Sequence, residues 1–249
     1  MSHHPTRRGV LLGASSLALL GVSGPSTHGD TLGPLLLVWV PGGLPLGCLA
    51  ARAGSLGTPT AVARVRTGAS SHASAEAEVL HTDEDPWLER LPGGTVLLAG
   101  PAVLQPTADD LQILEEAALT VATGRASAVR VVVPGGWDDH EGRLDEPAAH
   151  RELFGALDRA LSILDGSPAT VVVAGEMGRA PRRNWRGGRN DWHLADILLA
   201  GATVRDGARL AERPVCELGT ALLARAGVPG VRDPAGWDGL FAPRVGGFA

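Results

Sequence analysis

The sequence predicts an α/β domain with a mainly parallel central sheet. Three observations carry the prediction. Continuous apolar runs stop abruptly at proline or glycine, as in "LLLVWVPGG", "VRVVVPGG" and "ATVVVAGE", the pattern of strands buried on both faces. Amphipathic stretches at helical spacing stand between them. The length of 249 residues and an apolar content of 44% supply enough side chains for one sizeable core.

Taken in order, Gly33–Gly43 reads as the first strand, closed by Pro41 and two glycines. "GGTVLLAGPAV" reads as a second strand ending at Gly100 and Pro101. A helix follows, with Thr107 as N-cap and Asp110 three residues on, an apolar stripe of Leu111, Leu114, Ala118 and Val121, and Gly124 as its stop. "SAVRVVVPGG" repeats the strand-then-glycine pattern, and Leu153, Leu157, Ala160, Leu161 and Leu164 form the stripe of the next helix. "ATVVVAGE" is another buried strand, and "DILLAGATV" fits a strand or a short helix. "CELGTALLARAG" closes the series as a helix with Gly227 as cap. Strands alternating with helices imply parallel pairing and right-handed crossovers.

Two regions fit this scheme less directly. Thr58–Pro86 reads as one strand and then a solvated loop holding His72, His81, Asp83, Glu84 and Asp85. The tail from Val228, with Trp237 and Phe241, reads as irregular structure packed over the sheet.

At the N-terminus, Arg7 and Arg8 precede an apolar stretch from Gly9 to Val22, too short to span a bilayer comfortably. It reads as a twin-arginine export signal, which places the mature protein in the periplasm or outside the cell, with no membrane span. Residues 1–28 are assigned to the signal and 29–249 to a single domain. In an oxidising compartment Cys48 and Cys216 either pair or remain two buried thiols. With 27 acidic against 22 basic residues the net charge is −5, which gives no electrostatic case for nucleic acid. Small anionic ligands or proteins are the expected partners.

Chemistry in such sheets gathers beyond the carboxyl ends of the strands. There "GGWDDHEG" places Asp138 and His140 one residue apart, so that an extended segment would aim both at one cation. Oxygen and imidazole donors suit zinc or a similar divalent ion. The alternative is an ordinary polar turn. Glu176 ends the next apolar strand, and Asp191 and His193 repeat the spacing inside a loop rich in glycine and arginine. That loop carries Arg179, Arg182, Arg183, Arg186 and Arg189, either an anion site or a solvated balance to the acidic surface. Trp137, Trp185 and Trp192 either wall a pocket there or pack in the core.

Together "GGWDDHEG", "VVVAGEMGRAPRRN", "GGRNDWH", "LLAG" and "ERPV" resemble the bacterial domain-of-unknown-function family numbered 1501, whose members are placed with the alkaline-phosphatase/sulfatase-like superfamily. The resemblance runs from about Leu35 to Pro229. It implies a three-layer α/β/α, alkaline-phosphatase-like fold. By the same resemblance, Asp138 and His140 match the family's metal-binding D-T-H, Glu176 the acid of E-F-G-R-T-P, and Arg179 that motif's arginine. The sequence departs from the family where Pro45 takes the place of an aspartate, and where Asn190 and Asp191 replace Asp and His. The stretch after the first strand also holds no serine or threonine to act as a nucleophile. The resemblance therefore implies an exported binding or accessory protein with a partly eroded metal site. The alternatives are a metal-dependent hydrolase of phosphate or sulfate esters, with Asp138, His140, Glu176, Asp191 and His193 as ligands and Arg179 and Arg189 holding the anion, and a metal-free interaction module.

Overall fold

The computed structural model describes residues 32–69, 71–82 and 85–243. Arg7, Arg8 and the apolar stretch assigned to an export signal lie outside these residues, as do Asp83 and Glu84. In chain order the elements are β1 (Leu35–Trp39), α1 (Cys48–Ala53), β2 (Thr60–Arg66), α2 (His72–Leu80), β3 (His81–Thr82), β4 (Asp85–Pro86), β5 (Thr95–Ala99) and α3 (Ile113–Ala122). They continue as β6 (Ala128–Val132), α4 (Glu146–Ile163), β7 (Thr170–Ala174), β8 (Gly178–Arg179), β9 (Asp191–Trp192), β10 (Leu194–Ala200), β11 (Ala208–Pro214) and α5 (Glu217–Arg225).

Seven strands form one sheet in the order β11-β2-β10-β7-β1-β6-β5. Only β10 runs against the others, pairing antiparallel with both β2 and β7; the remaining pairs are parallel. Parallel strands need covered faces, and both faces here are covered. On one, Leu36, Val38, Val129, Val131, Val171 and Val173 pack under α1, α3 and α4. On the other, Leu35, Leu37, Trp39, Val172, Ile197 and Leu199 pack under α2, α5 and the 3₁₀ turns at Trp87 and Trp237. The result is a three-layer α/β/α arrangement. Trp237 and Phe241 are buried in the second core, where the tail was expected to pack. Among the described residues, no helix is long and apolar enough to cross a membrane.

Local chemistry explains the element ends. Thr107 Oγ1 accepts from the Asp110 N–H at 3.3 Å while the Asp110 carboxylate accepts from the Thr107 N–H at 2.9 Å, the reciprocal cap read from the sequence. One 3₁₀ turn intervenes before α3 proper. Asp145 caps α4 by accepting from the Ala148 N–H at 3.2 Å, with Pro147 in its first turn.

Two sequence expectations are refined and two change. "TVLLA" forms a strand, but β5 is the sheet edge and much of it is exposed, because only β6 pairs with it. "DILLAGATV" resolves to strand, as β10. The loop expected after the strand in Thr58–Pro86 is a helix, α2, begun by reciprocal capping between Ser71 and Ser74. The polar alternation of "ARLAERP" is the edge strand β11, which no apolar run announced. Cys48 and Cys216 are both free thiols: Cys48 begins α1 on one face of the sheet and Cys216 precedes α5 on the other, so the sheet separates them.

Candidate metal centre

β1, β2, β6 and β7 run in one direction, so their carboxyl ends meet at one end of the sheet, and the antiparallel β10 brings its amino end, with Asp191 just before it, to the same end. After β1 the chain turns through Gly42 and Gly43, both at positive φ. A Cβ on Gly42 would sit 2.6 Å from the Asp138 nitrogen and 2.8 Å from Arg179 Nη2, so only glycine lets this turn approach the loop after β6. That loop delivers Asp138 and His140. Its shape comes from Asp139, whose carboxylate accepts from the N–H groups of Glu141 (3.1 Å) and Leu144 (2.8 Å). Burial works against ionising Asp139, but these backbone donors hold its carboxyl below the ordinary range. The two adjacent aspartates thus have different tasks: one folds the loop and the other faces the site.

His72, Asp138, His140 and Asp191 come together, each offering a ligand atom, with those atoms all within 4.8 Å of one another. His72 Nε2 lies 3.6 Å from Asp138 Oδ2 and 3.5 Å from Asp191 Oδ2. His140 Nε2 lies 3.1 Å from Asp138 Oδ1 and 3.4 Å from Asp191 Oδ1. Side-chain exposures of 37% for His72, 50% for Asp138 and 42% for His140 and Asp191 leave the group open to a substrate.

Glu176, a ligand candidate by sequence, lies behind this group. Its side chain is buried, and Oε1 accepts from the Gly42 N–H at 2.5 Å and sits 2.9 Å from His72 Nδ1. A carboxylate only accepts, so Nδ1 carries the proton and Nε2 presents its lone pair to the aspartates. Glu176 Oε2 is buried without a partner among the described residues. His193, the other half of the repeated spacing, is outside the group. The chain bends at His193 between β9 and β10, which breaks the alternation that would have kept it beside Asp191, and its ring stacks on Trp192.

The arginines expected to hold an anion are already engaged. Arg179 is buried; Nη2 pairs with Asp138 Oδ1, Nη1 with Asp191 Oδ1 at 2.5 Å, and Nε donates to the Gly42 carbonyl at 2.5 Å. Arg189 donates to Glu146 Oε1 at 2.7 Å and to the carbonyls of Ala180 and Pro181. Arg179 is buried and Arg189 partly so, and internal acceptors already use most of their donors.

The charges of the centre do not balance internally. Asp138 and Asp191 pair with one guanidinium, and the third carboxylate, Glu176, meets the His72 ring and the Gly42 N–H instead. Burial opposes protonation of His72, yet its bond to Glu176 and the nearby Asp138 and Asp191 raise its pKa. Burial likewise opposes ionisation of Asp138, while Arg179, His72 and His140 pull its pKa down. A divalent cation suits three carboxylates set against one guanidinium, and the orphaned Glu176 oxygen and the donor set of two imidazoles and two carboxylates fit one. Sequence reading missed His72; the helix-forming run "HASAEAEVL" after Ser71 was the signal that could have found its position.

No protein-family model and no curated protein sequence matches the chain. Solved structures do. Murine ectonucleotide pyrophosphatase/phosphodiesterase 5, in an inactive form in complex with AMP, matches with TM-score 0.55 and 8% identity, over 84% of this chain and 100% of that one. The C-terminal periplasmic domain of EcEptC from Escherichia coli matches with TM-score 0.52 and 7% identity, over 78% and 82%. A protein in the alkaline phosphatase superfamily from Vibrio parahaemolyticus gives TM-score 0.47 and 10% identity, over 82% and 68%. At such low identity the likeness speaks for the fold alone: the chain adopts an alkaline-phosphatase-like α/β fold.

Proposed function

We propose that the chain is a metal-dependent hydrolase of phosphate or sulfate esters, using one divalent ion held by His72, Asp138, His140 and Asp191. The observation that carries this reading is the set of four residues, each offering a ligand atom within 4.8 Å of the others, beside three carboxylates and a single guanidinium. Two imidazoles and two carboxylates suit zinc. When bound, such an ion supplies Lewis acidity to an ester oxygen and acidifies water, which meets the lack of a serine or threonine between Val40 and Cys48. Glu176 fixes the His72 ring, and Arg179 fixes both aspartates by their Oδ1 atoms. The AMP complex named for the murine structure supports an ester of this class. Membership of the family numbered 1501 and export by the twin-arginine route belong to the same proposal, supported by the quoted motifs and by Arg7 and Arg8.

One observation favours a second reading, a metal-holding accessory protein: the buried Arg179 guanidinium already pairs with Asp138 and Asp191, which neutralises it towards a substrate anion. Assays with 4-nitrophenyl phosphate and 4-nitrophenyl sulfate on metal-loaded protein separate the two. Hydrolysis that disappears with chelator and in Asp138→Ala supports the hydrolase. Metal-loaded protein that turns over neither ester, nor any phosphodiester analogue, leaves the accessory reading in its place.

A further inference from the structure

The loop between β8 and β9 holds an indole in water on a rigid frame. Trp185 is 86% exposed, whereas Trp39, Trp87, Trp137 and Trp237 are all buried. Its loop is not loose. The Asn184 side-chain amide donates to the His140 carbonyl at 3.0 Å and to Asn190 Oδ1 at 2.9 Å, and its Oδ1 accepts from the Arg186 N–H at 2.9 Å. The Asn184 N–H donates to the Gly188 carbonyl at 2.8 Å, and the Arg189 N–H to the Asp139 carbonyl at 2.9 Å. Exposing a large apolar ring on an ordered loop forfeits burial that packing it inward would recover.

Charge says what could cover it. Residues 178–190 carry five arginines and no acid, in a chain of net charge −5. Arg179, Arg183 and Arg189 are committed to Asp138, Asp191 and Glu146. Arg182 has no hydrogen bond or ion pair among the described residues, and Arg186 reaches Glu141 only at 3.7 Å. The Arg186 guanidinium lies 4.6 Å from the Trp185 ring centre, stacked on one face. The other face is open.

We infer that Trp185, Arg182 and Arg186 form an outer subsite for a sugar ring bearing sulfate or phosphate, beside the metal centre. The apolar C–H face of the sugar rests on the free indole face, its hydroxyls stay in water, and the two guanidiniums take the anionic group. A single indole offers about 200 Å², far below the roughly 800 Å² per partner of a stable protein interface, which favours a saccharide over a protein. The Asn184 side chain, one residue before Trp185, is bonded to the His140 carbonyl, which ties this loop to the one that carries Asp138 and His140. The inference rests on the hydrolase reading for its substrate class.

The test is calorimetric titration with a dextran sulfate oligosaccharide and with unsulfated dextran of equal length, with metal content measured in every sample. The wild type should bind the sulfated ligand at least tenfold more tightly than the neutral one. Trp185→Ala should weaken it about tenfold, and Arg182→Ala/Arg186→Ala by a similar factor, with metal content unchanged in both. Unaltered affinity in Trp185→Ala would overturn the subsite, as would equal binding of polyglutamate or of anionic lipid vesicles. A wild type that binds the oligosaccharide as predicted but carries no metal would keep the subsite and remove the hydrolase reading.

Discussion

Two charged clusters sit side by side at the carboxyl end of the sheet, and they differ in how their charge closes. Around Glu146, Arg183 and Arg189 supply guanidiniums at 2.9 and 2.7 Å, while the neighbouring His150 and Cys48 are held neutral. Burial lowers the His150 pKa, assisted by Arg189 and Arg183 against Glu146. Burial and Glu146 push the Cys48 thiol up to about 11. Around His72, three carboxylates stand against one guanidinium. The first cluster is left with positive charge over, two guanidiniums to one carboxylate, and the second with negative charge over. Acid, histidine and arginine occur in both, so composition does not distinguish them, and arithmetic on the contacts does.

Breaking the second cluster should have the largest effect. His72→Ala removes one of four donors and should weaken zinc binding at least 100-fold by competition titration. Glu176→Gln leaves the donors but replaces the carboxylate that orients His72, and should cost about 10- to 100-fold. Equal affinity in Glu176→Gln and wild type would remove Glu176 from the account.

Breaking the first cluster should show in stability instead. Glu146→Ala leaves Arg183 and Arg189 without their carboxylate and should destabilise by about 2 kcal/mol, discounted from a fully buried pair because Arg183 is largely in solvent. That corresponds to a fall in Tm of about 4–8 °C, with metal affinity unchanged. Loss of metal in this variant would mean that the two clusters are not independent.

The smallest effect sharpens the comparison through pH. A thiol raised from 9.0 to about 11 stays protonated in the folded protein, so its contribution to stability is complete below pH 9 and lost as pH rises towards 11. Iodoacetamide should therefore label Cys216 before Cys48 at pH 8, with the Cys48 rate still climbing above pH 10. Equal labelling at pH 8 would show that the pocket does not suppress Cys48.

The sequence made the centre of the fold easier to read than its edges. β1 and β7 are buried on both faces, so their side chains form unbroken apolar runs that stop where the chain must turn, and β6 departs from this only at Arg130 and the half-buried Val132. β11 is an edge whose Arg209, Glu212 and Arg213 face water, and nothing in its pattern demands a strand. At the site, Asp138 and His140 were visible because they share a loop. His72 was not, because a helix of alternating alanine and glutamate has little apolar stripe, and only tertiary packing brings its first residue to Asp138, 66 positions later in the chain. His193 misled for the opposite reason: a spacing suited to an extended strand is undone by one bend.

Elemental analysis of protein purified without chelator, beside Asp138→Ala/His140→Ala, should find close to one divalent ion per wild-type chain and none in the variant, with both folded by circular dichroism. A wild type that stays metal-free after zinc is supplied, or a variant that keeps its ion, would contradict metal binding at this centre.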